Sequence, residues 1–326
     1  MRIKLLAFAC AAVVCVASSL RSNAHAETYP AHPVRMVIAF LAGGSVDALG
    51  RIIAQKLSEH WKQQVLVENR TGALGNLGAI SAARSAPDGY TLHFAAQSVA
   101  VNVTLAPLTE FDPVRDFEPI MLVASAQDIL IVPADSPFKT AQELIAYAKE
   151  NPRKLTYGTL GTSSSGNMAV AVFCQLNGRL QMRQVTYSQT SQLVTDVIAG
   201  RVDVFFPTTG AHIGNVVAGR VRALGVSGSE RAKQLPETPT FKEAGVEYPD
   251  ATSWYALFAP KGTPKDVVAK INRDLEYVLS QPDVKDRQEK LGFITIGGPP
   301  EKLADYLKSE ISKWSTIVKD PLFLGQ

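Results

Sequence analysis

Apolar positions along this chain recur in two rhythms, and their alternation predicts the architecture. Val34, Met36, Val37, Ile38 and Phe40 form a short β-rich run, after which Leu49, Ile52, Ile53 and Leu57 fall at helical spacing. Gly43 and Gly44 sit at the junction, where a glycine pair allows a sharp turn and leaves first-turn amides free. The rhythm then repeats. Strands are predicted at 64–68, 90–95, 120–123, 129–132, 156–159, 185–187, 202–206, 223–226 and 254–258. Helices are predicted through Ile80 to Arg84, from a capping box at Thr140 and Glu143 to Glu150, and over 167–176, 191–199 and 215–218. Two longer ones begin at Thr263-Pro264, with Pro264 at the first helical position, and at Pro300, running to Val318. The βα alternation implies an α/β fold with mostly parallel sheets. No fixed-period repeat or low-complexity tract interrupts it.

The first residues have a different character. Arg2 and Lys4 precede an apolar run from Leu5 to Leu20, and Ala24-His25-Ala26 reads as a cleavage site. This is the pattern of a signal peptide over 1–26, with a mature start at Glu27. The apolar run is short for a membrane span, which needs roughly 20 residues. Cys10 and Cys15 lie in the leader and only Cys174 remains, so no intramolecular disulfide is expected. Cys174 sits among Val170, Val172, Phe173 and Leu176, which suits a buried inert thiol.

Charge changes the picture once the leader is set aside. Of 33 Lys and Arg residues, Arg2, Lys4 and Arg21 fall within it and no acidic residue does, leaving 30 basic against 30 acidic. A balanced chain gives no electrostatic case for nucleic acid or a membrane surface. The 300 residues that follow the leader are more than one core usually serves, so two domains are expected.

In open α/β sheets, ligands bind beyond the carboxyl ends of strands. Two loops have that placement. The first, Phe40-Leu41-Ala42-Gly43-Gly44, leads into a helix carrying Asp47 and suits an anion through bare N–H groups and the helix dipole. A plain tight turn, with Asp47 helping to cap the helix, is the alternative. The second runs from Thr159 through Gly161-Thr162-Ser163-Ser164-Ser165-Gly166 to Asn167 and offers hydroxyls and amides; a simple helix cap is the other reading. Arg70, after Asn69, can pair with a carboxylate or serve in a supporting or surface role, and Asp203, which ends a turn into a strand, is read first as structural and second as a candidate contact. Neither G-x-G-x-x-G nor a P-loop occurs, which removes a nucleotide fingerprint. G-x-S-x-G is absent too, which weighs against a hydrolase using Ser163, Ser164 or Ser165. His32, His60, His93 and His212 lack metal-ligand spacing and are read as surface or satisfied core residues. No metal or cofactor is expected.

Taken in order, several blocks resemble the Bug-type solute-binding receptors of tripartite tricarboxylate transporters. They are Tyr29-Pro30, Pro33-Val34-Arg35-Met36-Val37-Ile38, and Ala42-Gly43-Gly44 with Asp47 and Arg51. Val65 to Ala73, Gly75-Asn76-Leu77-Gly78, Pro87 to Leu92 and Asp112 to Phe117 follow. Leu235 to Thr240, Glu243-Ala244-Gly245 and Ala259 to Pro264 complete the series across the mature chain. The resemblance implies a type II periplasmic binding protein: two α/β lobes with crossover strands, closing on a small ligand. Lobe 1 would comprise 27–128 and 250–326, and lobe 2 would comprise 129–249. It implies a periplasmic monomer that binds a carboxylate, performs no catalysis and delivers to membrane permease subunits. The implied binding set is Phe40, Leu41, Ala42, Gly43, Gly44, Asp47 and Gln97 from one lobe. Thr159, Gly161, Thr162, Ser163, Ser164, Ser165, Asn167, Tyr187 and Asp203 complete it from the other.

This chain departs from the family pattern at both loops. It has Ala39-Phe40-Leu41 where members usually have Pro-Phe-Pro, which removes stiffening prolines. It has Asn167 where a His is common, and Thr186-Tyr187-Ser188-Gln189 where Pro-Tyr-Lys-Gly is usual. Neutral groups thus replace a positive or protonatable pair. A monocarboxylate, an aromatic acid or an amide-bearing ligand fits that change better than a tricarboxylate. Docking on a two-component sensor kinase is the alternative use of such a receptor.

Overall fold

Two mixed sheets, each covered by helices on both faces, carry the chain. The computed structural model describes residues 29–108, 110–161, 164–210, 212–248 and 253–318. Residues 1–26, read above as a signal peptide, and Thr162 and Ser163 therefore lie outside the described residues. Strands β1 (Val34–Ile38), β2 (Val65–Asn69), β3 (Thr91–Ala96), β4 (Phe117–Ala126), β10 (Ser253–Pro260) and β11 (Phe293–Thr295) build the first sheet. Its order is β11-β4-β10-β3-β1-β2. Strands β5 (Ile129–Pro133), β6 (Thr156–Thr159), β7 (Arg183–Thr186), β8 (Val204–Phe205) and β9 (Val221–Val226) build the second, in the order β7-β6-β8-β5-β9.

The expectation of mostly parallel sheets is corrected. β1 is parallel to β2 and β3, and β6 is parallel to β7 and β8. β10 is antiparallel to both β3 and β4, β11 to β4, and β5 to both β8 and β9. The reason is connectivity. β4 leaves the first sheet and becomes β5 of the second after only Gln127 and Asp128, with no crossover helix. β10 re-enters the first sheet at the same end, its Ser253 paired with Ala126 at the close of β4. β10, returning from the second sheet, and β5, entering it, therefore run opposite to the βαβ strands of their own sheets, while β4 keeps the direction of β3.

Side-chain alternation assigns each strand's two faces to different cores. Met36, Ile38, Phe94, Tyr255 and Leu257 pack on one face of the first sheet with helices α1 (Ser45–Trp61) and, through Ile271 and Leu275, the helix Lys265–Ser280. Val37, Ala95, Trp254, Ala256 and Phe258 pack on the other with Leu303 and Leu307 of the helix Pro300–Ile317. All eight residues of β10 are buried, as a two-sided strand requires. The second sheet divides likewise: Leu130 and Val132 face one core, Ile129 and Ile131 the other.

Remaining helices in chain order are α2 (Asn76–Ala83), α3 (Ser98–Leu105), α4 (Pro113–Asp116), α5 (Ala141–Glu150), α6 (Ser165–Leu176), α7 (Thr190–Ile198) and α8 (Ile213–Val217). The two noted above and the Pro282–Lys290 helix are α9 (Lys265–Ser280), α10 (Pro282–Lys290) and α11 (Pro300–Ile317). Thr140 caps α5 as its sequence predicts, accepting from Glu143 N at 3.2 Å. Pro264 proves to be the N-cap of α9 and not its first residue.

The two halves also touch away from the crossover. Val101 of α3, Met168 and Val172 of α6, and Trp314 of α11 form one apolar cluster. At another contact the Gly210 backbone lies so close to Leu291 that a Cβ there would overlap the Leu291 carbonyl, and a Cβ on Gly292 (φ 69°) would in turn meet Gly210.

One buried charge anchors α11. Glu310 is 4% exposed, and its Oε2 accepts from the indole N–H of Trp254 at 2.9 Å and of Trp314 at 3.1 Å. Lys313 pairs with the same carboxylate. Glu310→Ala would leave two buried donors unmatched, so a loss of about 3 kcal/mol is expected in denaturant unfolding. Glu310→Gln, which keeps an acceptor oxygen, should lose distinctly less.

Candidate functional site

The carboxyl ends of β1, β3, β6 and β8, together with the crossover, turn toward one another. β1 is buried to Ile38, and the chain then surfaces: Leu41 is 66% exposed, and Ala42, Gly43 and Gly44 are exposed. Gly43 has φ 85°, a conformation that side chains disfavour. Gly44 is the N-cap of α1 in an extended conformation (φ −81°, ψ 173°) with no side-chain cap. The first intrahelical bond of this end runs from Ala48 N to Gly44 O at 2.9 Å. The amides before Ala48 therefore point out of the helix end, where the dipole is positive.

Asp47 holds this loop from beneath. It is 3% exposed, and its Oδ2 accepts from Gly43 N (2.9 Å) and Arg51 Nε (2.8 Å). Its Oδ1 accepts from Asn69 Nδ2 (2.8 Å), which also donates to Phe40 O (3.0 Å). Arg51 Nη2 closes the ring by donating to Asn69 Oδ1 at 2.9 Å. Burial pushes the Asp47 carboxyl up. The Arg51 guanidinium and the Gly43 and Asn69 amides outweigh it and hold the group below the usual carboxylate range. Its hydrogen bonds face the loop, so it acts as a positioning residue. Gln97, 5% exposed, immediately precedes α3, and the neighbouring Ser98 and the Phe40 ring both border Gly75.

In the second half, Thr159 ends β6 fully buried. Its Oγ1 lies 2.9 Å from Ser164 Oγ and accepts from Gly161 N at 3.2 Å. Ser164 is the N-cap of α6 and accepts from Asn167 N at 3.3 Å. Its hydroxyl thus performs the capping role that the sequence left open. Asn167 is 3% exposed and its Oδ1 accepts from Tyr157 OH at 3.2 Å. Tyr187 joins the group through its backbone N, which donates to Thr159 O at 2.9 Å. Its hydroxyl turns away to Asp196 (2.7 Å), which Arg201 also binds.

Asp203 is placed elsewhere. Its Oδ2 accepts from both N and Oγ1 of Thr156 at 2.7 Å, at the opposite end of β6 from Thr159. The carboxylate ties the start of β6 to the segment entering β8, away from the two loops.

The structure also brings in residues that sequence reading missed. Ser45, the first residue of α1, has its Oγ 3.1 Å from Oγ1 of Thr208, just after β8. This contact links the two halves directly. Tyr255, 2% exposed, has its hydroxyl beside Ser45 and feels the charge of Asp128. Asp128 pairs with Thr208 across an isolated bridge. A serine following a glycine pair at a helix start was a legible hint for Ser45. Thr208, Tyr255 and Asp128 carry no local signal, since only the meeting of distant strands assembles them.

His93 and His212 are buried, which pushes both imidazoles down to about 4 and keeps them neutral. His93 is a satisfied core residue, with Nδ1 3.1 Å from Val37 O. No metal-holding cluster and no helix able to cross a membrane occur among the described residues. Cys174 is buried, and burial pushes its thiol up to about 12.

Known proteins bear on this geometry. The profile of the tripartite tricarboxylate transporter family receptor matches residues 49–321. The UPF0065 protein in the tcbD–tcbE intergenic region of Pseudomonas sp. strain P51 is 37% identical over 308 residues, 94% of this chain and 91% of that one. Among solved structures, Rpa4515 of R. palustris with adipate superimposes with a TM-score of 0.82 at 30% identity, covering 89% of this chain and 97% of its own. MatC of Rhodopseudomonas palustris with bound malate gives 0.80 at 29% identity, covering 89% and 100%. By these matches, and by the two-lobed α/β fold that it shares with such proteins, the chain belongs to the tripartite tricarboxylate transporter family of receptors.

Proposed function

We propose that this receptor captures a small organic acid in the periplasm, in the cleft between its two sheets, without chemistry, and as a monomer presents it to membrane permease subunits. The lobes divide near the crossover, with 27–128 and 250–326 on one side and 129–249 on the other. The observation that carries the reading is the uncapped start of α1, braced by Asp47, Asn69 and Arg51, where Ser45 meets Thr208. Bare amides held rigidly at a positive helix end favour a carboxylate. Relatives with adipate and with malate bound support an acid as the class of ligand.

The binding residues are the loop Phe40, Leu41, Ala42, Gly43 and Gly44, with Gln97 beside it and Thr159, Gly161, Ser164, Asn167 and Tyr187 opposite. The opposing edge presents hydroxyl and amide groups, several already engaged within their own lobe. Leu41 and Leu160, 66% and 43% exposed, add apolar surface at the ends of β1 and β6. An acid with one carboxylate and an apolar or amide-bearing body suits these walls. Capture proceeds by closure, the ligand shifting the equilibrium by its greater affinity for the closed form.

A thermal-shift screen of benzoate, adipate, malate and citrate checks this. Stabilisation by the less charged acids is expected, worth about 2.7 kcal/mol at a hundredfold excess over Kd. Stabilisation by citrate alone would sink the ligand assignment.

The two loop glycines should respond differently. Gly43→Ala forces a Cβ into a left-handed backbone, at a cost of about 1 kcal/mol in stability. A Cβ on Gly44 meets nothing closer than Leu41 O at 3.7 Å. Gly44→Ser supplies the missing cap, so the ligand-free protein should melt slightly higher while acid binding weakens about tenfold or more. Equal or tighter binding, read by calorimetry, would remove this helix end from the site.

Asp47→Asn should cost about 1–3 kcal/mol at neutral pH, since Arg51 and Gly43 N lose a charged acceptor. The folded-state carboxyl titrates lower than the unfolded one. Its stabilisation is therefore present above the unfolded value of about 3.9 and fades as pH falls through the folded value. Melting curves of both proteins should converge in acid.

A further inference from the structure

We propose that Asp128 is a proton-operated latch: its neutral carboxyl permits the two lobes to meet, and its carboxylate holds them apart. The latch concerns the ligand-free protein; its bearing on acid capture rests on the function proposed above.

Asp128 occupies the shortest link between the sheets, where β4 becomes β5. Its backbone is fixed on the second sheet: Asp128 N donates to Ser227 Oγ (2.8 Å), and Ser227 N donates to Asp128 O (2.8 Å). Its side chain reaches the returning strand instead. Ser253 Oγ, at the start of β10, donates to Oδ1 at 3.0 Å, and the Tyr248 hydroxyl lies beside the same carboxyl. One carboxyl thus touches both passages of chain between the lobes. Through Tyr255 it also connects with Ser45, and Ser45 with Thr208.

The group is 4% exposed and has no cationic partner among the described residues. The titratable groups facing it are the Tyr248 and Tyr255 hydroxyls, and burial keeps both protonated. An uncompensated carboxylate in such a place is costly, and opening the cleft to water relieves the cost. Burial accordingly pushes the Asp128 carboxyl up to about 7, against the hydrogen bond of Ser253 and the nearby Tyr248 hydroxyl.

The direction of the effect follows from linkage. The closed form binds the proton more tightly than a hydrated, open form with an ordinary value of about 3.9. Closure is therefore favoured at low pH. The closed-to-open ratio falls by up to about tenfold per pH unit as pH rises from about 4 toward 7, and does not fall further above it. The same proton then sets how readily the cleft closes on an acid, because a carboxylate at the α1 end and an ionised Asp128 would share one low-dielectric space.

Small-angle scattering of the ligand-free protein from pH 5 to pH 8 tests the latch. The wild type should be more compact at pH 5 and expand as the pH approaches 7. Asp128→Asn should stay compact throughout. Ser253→Ala, which removes a hydrogen bond that favours the carboxylate, should move the transition to higher pH. Identical wild-type dimensions across the range would overturn the proposal, as would an Asn variant that still expands or a Ser253→Ala transition that does not move. Because no ligand enters the measurement, failure here is distinct from failure of the acid screen.

Discussion

The antiparallel pairing of β4 with β10 is the constraint on which the rest of the molecule depends. Both strands lie in the middle of the first sheet, and both carry the chain toward or from the second. Eight residues of β4 pair with the eight of β10, and every residue of β10 is buried. Their register shifts twice, between Tyr255 and Ala256 and between Leu257 and Phe258, where irregular pairing bends the ladder. Because these strands cross at one end of the sheet, the carboxyl ends of β1, β3, β6 and β8 converge on that end as well. The location of the cleft is a consequence of connectivity before any ligand chemistry is considered.

Within the cleft the two sides work differently. The α1 side spends its strongest polar side chains on its own backbone. A buried aspartate, an asparagine and an arginine form a closed ring whose only product is the shape of an exposed loop. In the function proposed above, recognition there falls to main-chain amides, which a side-chain substitution alters only by adding a cap. The opposite side presents Thr159, Ser164, Asn167 and Tyr187, of which only Thr159 belongs to a strand. A rigid grip on a common group and a variable wall for the remainder is the physical division of labour expected of a family with many ligands.

Much of this was legible in the sequence because the signals are local. The β1 run, the glycine pair and the α1 periodicity all lie within 24 residues, and the Thr140 capping box within four. Family-like blocks in fixed order carried the two-lobed fold. What sequence could not show was apposition. Ser45 and Thr208 are 163 positions apart, and nothing about a threonine after Phe206-Pro207 marks it as a neighbour of α1. Strand direction was lost for the same reason, since an apolar run looks alike whichever way it is threaded. Asp203 stood between a structural role and a ligand contact because an acidic residue at a strand head suits both, and its bonds go to the amide and hydroxyl of a neighbouring strand.

The close approach of Gly210 to Leu291 and Gly292 has a mechanical meaning. Side chains at a contact between moving bodies interlock like teeth and confine it to one setting. Bare backbone on both surfaces gives instead a smooth bearing, which can roll or slide through small angles without repacking a rotamer. Placed off to one side of the crossover strands, such a bearing would give rotation of one lobe on the other a fulcrum. Small displacements at the crossover would then be levered into larger ones at the rim, where Leu41 and Leu160 stand.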